Sequence, residues 1–199
     1  MRRSRDKNAA GFTLTELMVA LAIGMVVIAS VAGTFRAQTR QNKAEEEISQ
    51  LHQNVRGALD LMSRELMQAG YKAPGDSVTG VTYNATQLLI QADLNTNGSI
   101  DTSNTSLEYI IYTRNSGTNQ ITRQLGTGGT PEIVADNITA CTFTYKDASN
   151  TATTTSSLIR EVTITITGQT AKPDPSYSSN GGYRTYQLSA DITPPNLAL

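Results

Sequence analysis

One acidic side chain interrupts a long apolar run near the N-terminus. Glu16 is the only residue with a formal charge between Phe12 and Phe35, and proline is absent from that run. A carboxylate in hydrocarbon is costly unless it is paired or protonated, so an acid in a membrane segment predicts a specific partner. A cationic amine about 4 Å away would be such a partner, although desolvation of both groups cancels much of the attraction. The alternative is that Glu16 lies at the membrane interface and extends into water.

A second set of oxygen-bearing side chains lies between residues 93 and 101. Its spacing matches the first part of a calcium-binding loop of the EF-hand type, with Gly98 at the place of the sharp turn. The predicted ligands are Asp93, Asn95, Asn97, Asp101 and the backbone carbonyl of Ser99. The match fails where Asn104 replaces the bidentate Glu, and Glu108 would have to fold back to serve instead. Two interpretations stay open: a weak calcium site that stiffens the loop, and a metal-free polar hairpin.

The other reactive residues do not form a recognisable catalytic site. Cys141 is the only cysteine, and its apolar surroundings predict a buried small hydrophobe, with an intermolecular disulfide as the alternative. His52 has no second His or Cys at ligand spacing, so its expected role is structural. The sequence contains no nucleophile elbow, phosphate-binding loop or zinc-protease motif, so we do not expect an enzyme. Basic residues after the first seven are scattered, which argues against nucleic-acid binding.

The apolar run is predicted to be a membrane-spanning helix. At about 1.5 Å of rise per residue, residues 12–35 cover the roughly 30 Å of a bilayer core. Arg2, Arg3, Arg5 and Lys7 precede the run, which predicts a cytoplasmic N-terminus. A cleaved signal peptide is the alternative, but the run is longer than the apolar region of one, and no cleavage site of small residues follows it.

The helix is predicted to continue to residue 70, and strands are predicted beyond it. Apolar residues recur at steps of three and four along one helical face: Ile48, Leu51, Val55, Leu59, Met62, Leu66 and Ala69. Gly70 and the Pro74-Gly75 pair predict the helix end. Alternating patterns then predict strands at 87–92, 107–114, 120–125, 138–146, 158–167 and 184–192. A hairpin turn is expected at 115–118 and a long flexible loop at 172–182.

The N-terminal pattern resembles a known family signature. Gly11, Phe12, Thr13, Leu14, Thr15 and Glu16, followed by the apolar run, are similar to the type IV prepilin motif of type IV pilins and type II secretion pseudopilins. The resemblance implies that a prepilin peptidase cleaves a leader, residues 1–11, between Gly11 and Phe12, and that Phe12 becomes N-methylated. It also implies that Glu16 meets the Phe12 amine of a neighbouring subunit and sets the register between their helices.

The same resemblance implies partners and a location. The partners would be other major and minor pilins, the prepilin peptidase and the inner-membrane assembly platform. The chain would cross the bacterial inner membrane once and enter an extracellular pilus. The implied fold is α+β, a pilin fold with a long N-terminal helix packed against an antiparallel β-sheet head. The expected organisation is a leader at 1–11, a membrane and assembly helix at 12–35, its amphipathic continuation at 36–70 and an extracytoplasmic β-rich head at 71–199.

A finer resemblance concerns the end of the helix. Residues 58–71 are similar to PilW-type minor pilins and to the J-type minor pseudopilins of type II secretion. The lone cysteine rules out the C-terminal disulfide loop of many major pilins. The resemblance therefore implies a minor pilin that acts in pilus assembly, in initiation or in a tip complex. The alternatives are a J-type minor pseudopilin and a pilus-displayed adhesive binding module.

Overall fold

A single long helix forms the N-terminal part of the chain. The computed structural model describes residues 11–197. Helix α1 runs over Leu14–Leu66 without a proline. A turn follows, and Gly70 adopts a φ of 77°, which only a residue without Cβ takes up readily. The helix therefore ends four residues before the predicted boundary, and Gly70 closes the turn after it. The chain divides into two compact units, of which one ends at Glu45 and the other begins at Glu46.

The first sheet is an antiparallel meander of five strands. The strands are β1 (Val81–Thr82), β2 (Gln87–Gln91), β3 (Tyr109–Asn115), β4 (Gln120–Leu125) and β5 (Glu132–Ala135), in that spatial order. The predicted hairpin between β3 and β4 is confirmed, because Asn115 Oδ1 accepts hydrogen bonds from the N–H groups of Gly117 and Thr118. The short strands β1 and β5 were not predicted.

The second sheet has three antiparallel strands. They are β6 (Ile138–Lys146), β7 (Glu161–Gln169) and β8 (Thr185–Ile192), with β7 in the centre. Along β7 the alternation predicted from the sequence is confirmed: Val162, Ile164 and Ile166 are buried, and the threonines between them lie on the outer face.

The head thus contains two sheets, whereas the sequence led us to expect one. The separation follows from the link between β5 and β6. Asn137 adopts a positive φ of 58°, and the register of β6 against β7 shifts between Ile138 and Ala140. The N–H of Ile138 donates to the carbonyl of Asn119, the residue immediately before β4. These features turn the chain out of the first sheet and into the second.

The core lies between the C-terminal part of α1 and both sheets. The predicted apolar face of the helix is confirmed, with only Ile48 less than fully buried. The buried helix residues are Leu51, Val55, Ala58, Leu59, Met62 and Leu66. The sheets contribute aliphatic residues and Tyr112 to the same cluster. Every member of this core belongs to residues 51–197, so the unit that begins at Glu46 has a hydrophobic core of its own.

The C-terminal segment closes the end of this core. Pro195–Leu197 forms a short 3-10 helix, and Leu197 is only 6% exposed. Its side chain lies against Gly70 and Gly80, two glycines with positive φ. A Cβ on Gly80 would lie 2.4 Å from Leu197 Cδ2 and 2.8 Å from the Gly70 nitrogen. Glycine at position 80 therefore permits the close packing of the helix end, β1 and the C-terminus.

Candidate functional site

The residues around the predicted cleavage site form the N-terminal cap of α1. Thr13 precedes the helix. Its backbone N–H and its hydroxyl both donate hydrogen bonds to Glu16 Oε2, each at 2.9 Å. The N–H of Glu16 donates in return to Thr13 Oγ1 at 3.3 Å. This reciprocal arrangement is a capping box, which satisfies backbone N–H groups that a helix leaves without partners.

The capping box gives Glu16 a role that our sequence analysis missed. The spacing Thr13-x-x-Glu16 is the sequence signature of this cap, and it lies within the same motif that carries the charge of Glu16. The cap directs the carboxylate towards the N-terminal end of the helix, where the macrodipole favours negative charge. Oε1 accepts no hydrogen bond from any residue between 11 and 197, so one oxygen is left for a further donor.

The helix that follows exposes an apolar surface. Phe12 is 92% exposed and Ile28 is 70% exposed, and the large apolar side chains between them are also exposed. The helix is long and apolar enough to cross a membrane, and none of its most apolar window is buried within the chain. Such a surface requires lipid or other apolar helices around it. The prediction of a cytoplasmic N-terminus rests on Arg2, Arg3, Arg5 and Lys7, which lie, with most of the predicted leader, outside the described residues.

The oxygen-rich loop at 93–101 is organised by two buried carboxylates. Asp93 is fully buried, and its two oxygens accept hydrogen bonds from the N–H groups of Asn97 and Gly98 at 3.1 and 2.8 Å. Glu108 is 4% exposed and folds back onto the loop, as the sequence analysis envisaged. Its oxygens accept from the N–H groups of Asn95 and Asp101 at 3.1 and 2.8 Å. The two acids therefore hold the loop through its backbone.

The other predicted calcium ligands also bond within the loop. Asn95 Oδ1 accepts from the N–H of Asn97, and Asn97 Oδ1 accepts from the N–H and hydroxyl of Ser99. Asp101 accepts from the backbone and hydroxyl of Ser103. Among the described residues, no three His, Cys, Asp or Glu side chains are placed to hold a metal ion. The geometry is that of a polar hairpin held by its own side chains, and calcium binding stays a prediction.

Cys141 and His52 have structural surroundings. Cys141 lies half-buried on β6, and burial raises the pKa of its thiol to about 12, which keeps it protonated and unreactive. The His52 ring packs on Tyr186 of β8 with ring centroids 4.0 Å apart. These contacts agree with the interpretation of both residues as packing elements.

A polar cluster that the sequence did not reveal joins α1 to the first sheet. Arg123 donates to Glu65 through Nε at 2.9 Å and through Nη2 at 2.7 Å, and Tyr112 donates its hydroxyl to the same carboxylate at 2.5 Å. Burial and the Glu65 carboxylate both raise the pKa of Tyr112, so its hydroxyl stays a donor. Glu65 belongs to the 58–71 segment on which the finer resemblance rested, and here it fixes the helix against β3 and β4.

The long loop at 172–182 is closed and held at its base. The N–H of Thr170 donates to the carbonyl of Arg184 at 2.9 Å, which joins the two ends of the loop. Arg184 donates through Nη2 to Asp174 at 2.8 Å, and its guanidinium lies 4.8 Å from the centre of the Tyr177 ring. The contacts hold the base of a loop of the Ω type, and the flexibility of its remaining residues stays a prediction.

Comparison with known proteins places the chain in a family. No curated protein matches the chain. The solved structure of the type IV-like pilin TTHA1219 from Thermus thermophilus is similar, with a TM-score of 0.44 and 14% identity, over 77% of this chain and 98% of that chain. Residues 6–32 match the prokaryotic N-terminal methylation motif, which includes Gly11, Phe12 and Glu16. Residues 45–191 match the family described as prepilin peptidase-dependent protein B. The apolar N-terminal helix fits a membrane-anchored pilin. The chain therefore belongs to the prepilin peptidase-dependent protein B family of type IV prepilin-like proteins.

Proposed function

We propose that this protein is a minor pilin of a type IV pilus that acts in pilus assembly, in initiation or in a tip complex. In this proposal the prepilin peptidase cleaves between Gly11 and Phe12, and the new amine of Phe12 is methylated. The chain is held in the inner membrane with its N-terminus in the cytoplasm until it joins other pilins through the assembly platform. Its role is structural, and no catalytic step is assigned to it.

The observation that carries this proposal is the position of Glu16 at the capped end of an uncovered apolar helix. Its Oε2 is engaged by Thr13, whereas Oε1 accepts no hydrogen bond from the described residues. In a bundle of such helices, an amine from a neighbouring chain supplies a charge-assisted donor to that oxygen. The pair offsets the cost of a carboxylate in lipid and favours one axial register over others.

The experiment separates the charge of Glu16 from its capping role. Because Gln also completes a capping box, Glu16→Gln keeps the helix start and removes the negative charge. We expect Glu16→Gln and Glu16→Ala to be cleaved normally but to be lost from sheared pili. Thr13→Ala removes the cap and keeps the charge, and it serves as the matched control that is still incorporated. Normal incorporation of Glu16→Gln would contradict the assembly role, and mass spectrometry of the membrane-extracted protein must show N-methylated Phe12 at its start.

A J-type minor pseudopilin of type II secretion is the first alternative, because it shares the same signature and helix end. The two roles differ in the filament that contains the protein. If the protein is a minor pilin, deletion of its gene should reduce pilus number. If it is a minor pseudopilin, the deletion should leave pili intact and reduce protein secretion. Complementation with Glu16→Gln should fail in either case, so the deletion phenotype decides between them.

An adhesive head is the second alternative, and it rests on the loop at 172–182, whose base is held by a hydrogen bond from Arg184 to Asp174. A loop held by the pair of Asp174 and Arg184 presents Tyr177 in a fixed position, which lowers the entropic cost of contact with a surface. Deletion of residues 175–181 should reduce adhesion while pilus number is unchanged. Unchanged adhesion would count against this role and would leave the assembly role untouched.

A further inference from the structure

The free edge of β8 differs from the other free sheet edges in the described part of the chain. The exposed backbone of an edge strand is a template for another strand, and proteins usually blunt it by shortness, proline, bulges or coverage. Strand β1 has two residues, and β5 has four and follows Pro131. The register of β6 shifts after Ile138, and its far end is bridged by Ala152. Strand β8 has none of these features.

Strand β8 is long, regular and almost uncharged. It pairs with β7 at eight consecutive positions without a bulge, and β7 is its only strand neighbour among residues 11–197. It contains neither proline nor lysine, and Asp191 is its single charged residue. Half-buried apolar residues lie on its inner side: Tyr186, Leu188 and Ala190. Its outer side carries polar residues that bond to the threonines of β7.

The hydrogen-bond pattern identifies which backbone groups point outward. The N–H of Thr170 donates to the carbonyl of Arg184, so residue 184 faces β7. The register pairs 168 with 186 and 166 with 188, so the even-numbered residues of β8 direct their N–H and C=O groups to β7. In an antiparallel ladder the intervening residues turn their N–H and C=O groups to the other side. The groups of Thr185, Gln187, Ser189 and Asp191 therefore point to the free edge.

We propose that this edge pairs with the β8 strand of a second copy of the chain, antiparallel and centred on Leu188. In this register Gln187 faces Ser189 of the second copy, and Thr185 faces Asp191, so the outward groups of each strand meet those of the other. Tyr186 lies opposite Ala190, which places a large side chain beside a small one. The two Asp191 carboxylates stay at opposite ends, and two three-stranded sheets become one of six strands.

The sequence of β8 favours a second copy over an unrelated strand because this register satisfies its inner and outer sides at once. Shifting the centre to Ser189 would place Asp191 against Gln187, oppose Tyr186 to the large side chain of Ile192, and leave Thr185 without an opposite residue within β8. Shifting it by half a step would oppose residues from different sides of the sheet, which the pleat forbids. The inference does not depend on the pilus role, since it concerns only the sheet edge of the head.

The pairing predicts one site for a disulfide between the two copies. Position 188 would oppose itself as a non-hydrogen-bonded pair with Cα atoms about 4.5 Å apart, inside the range of roughly 4.4–6.8 Å that disulfides span. We would express full-length Leu188→Cys in its membrane, in a Cys141→Ser background, and oxidise it. The expected product is a disulfide-linked dimer of the chain. Thr165→Cys on the central strand is the matched control and should stay monomeric.

Two proline variants test whether the backbone edge makes the contact. Ser189→Pro removes an N–H that points outward, so in Leu188→Cys chains it should abolish the dimer while the head stays resistant to protease in the membrane. Ala190→Pro removes an N–H that bonds to β7 and should make the head protease-sensitive. Absence of a dimer in Leu188→Cys, an equal yield in Thr165→Cys, or a dimer that survives Ser189→Pro would overturn the proposal. A disulfide to a different protein would also overturn it and would assign the edge to another chain.

Discussion

Arg123 on β4 and Glu65 on α1 form a side-on pair: Nε and Nη2 of the guanidinium both donate to Glu65 Oε1, at 2.9 and 2.7 Å, and Nε also donates to Oε2 at 3.1 Å. Their side chains are only 14% and 15% exposed, so the pair is shielded from water. Removing one member of such a pair leaves an uncompensated charge, whereas replacing the whole group with apolar side chains is often tolerated.

We expect Glu65→Ala to lower the free energy of unfolding of the head by about 3 kcal/mol, because it leaves Arg123 and the Tyr112 hydroxyl without their acceptor. The triple variant Glu65→Leu, Tyr112→Phe, Arg123→Met should lose much less. Urea unfolding of residues 46–199, which contain the whole core, measures both. A triple variant as unstable as Glu65→Ala would show that the cluster stabilises through its charges and not through satisfaction of buried groups.

The pair of Asp174 and Arg184 predicts a pH dependence of the head. The hydrogen bond from Arg184, followed by the one from the Ser176 N–H, lowers the pKa of Asp174 in the folded state. A depressed folded pKa contributes stability above the unfolded pKa of about 3.9, and this contribution is lost as the pH falls through the folded value. Asp174→Asn should therefore flatten the acid side of the stability curve, measured as the urea midpoint from pH 6 down to pH 2. Asp60→Asn, at an exposed helix position, is the control that should leave the curve unchanged.

The sequence predicted those features that repeat along the chain. The apolar face from Leu51 to Leu66 and the alternation of β7 each give several signals with one period, so their type and burial could be predicted. Strands β1 and β5 have two and four residues, too few to show a period. Their pairing is decided by neighbours that are distant in sequence.

The candidate site was predictable in position but not in geometry. Gly11, Phe12 and Glu16 were singled out by their resemblance to the type IV prepilin motif, and their roles stay predictions, whereas the hydrogen bond of Glu16 to Thr13 follows from a local capping pattern. The partner of Glu65 could not be found from sequence, because Arg123 is 58 residues away and nothing in the pattern of either residue specifies the other. The loop at 93–101 shows the reverse case. The same oxygen spacing fits a metal loop and a hairpin in which side chains accept from backbone N–H groups.

That loop gives a prediction about its two buried acids. Glu108→Ala removes the acceptor of two backbone N–H groups, and each buried group left without a partner costs about 1–3 kcal/mol. We expect the urea midpoint of the head to fall accordingly. Asp101→Ala loses only contacts to exposed Ser103 and should cost far less.

Calcium is tested in the same loop. If the loop binds calcium, millimolar calcium should raise the melting temperature of the head, a chelator should reverse the rise, and Asp101→Ala should abolish it, since a ligand that binds only the folded state stabilises it. A melting temperature that is equal in calcium and chelator would remove the calcium prediction. The structural role of Asp93 and Glu108 would stand.

Two glycine-to-alanine changes should have opposite signs. Gly80 has a φ of 75°, and an added Cβ would meet Leu197 Cδ2 at 2.4 Å and the backbone of Gly70 at 2.8 Å. Backbone cannot yield as a flexible side chain does, so Gly80→Ala should destabilise the head by more than the roughly 1 kcal/mol typical of strain at positive φ. Gly57 lies in α1 with nothing within 4 Å of an added Cβ, so Gly57→Ala should stabilise the head by about 1 kcal/mol through helix propensity.

Leu197→Ala should lower the stability of the head by about 2–5 kcal/mol, because it empties the space that Gly70 and Gly80 leave for the Leu197 side chain. If Gly80→Ala were neutral in urea unfolding, the tight junction of the helix end, β1 and the C-terminus would not exist in solution.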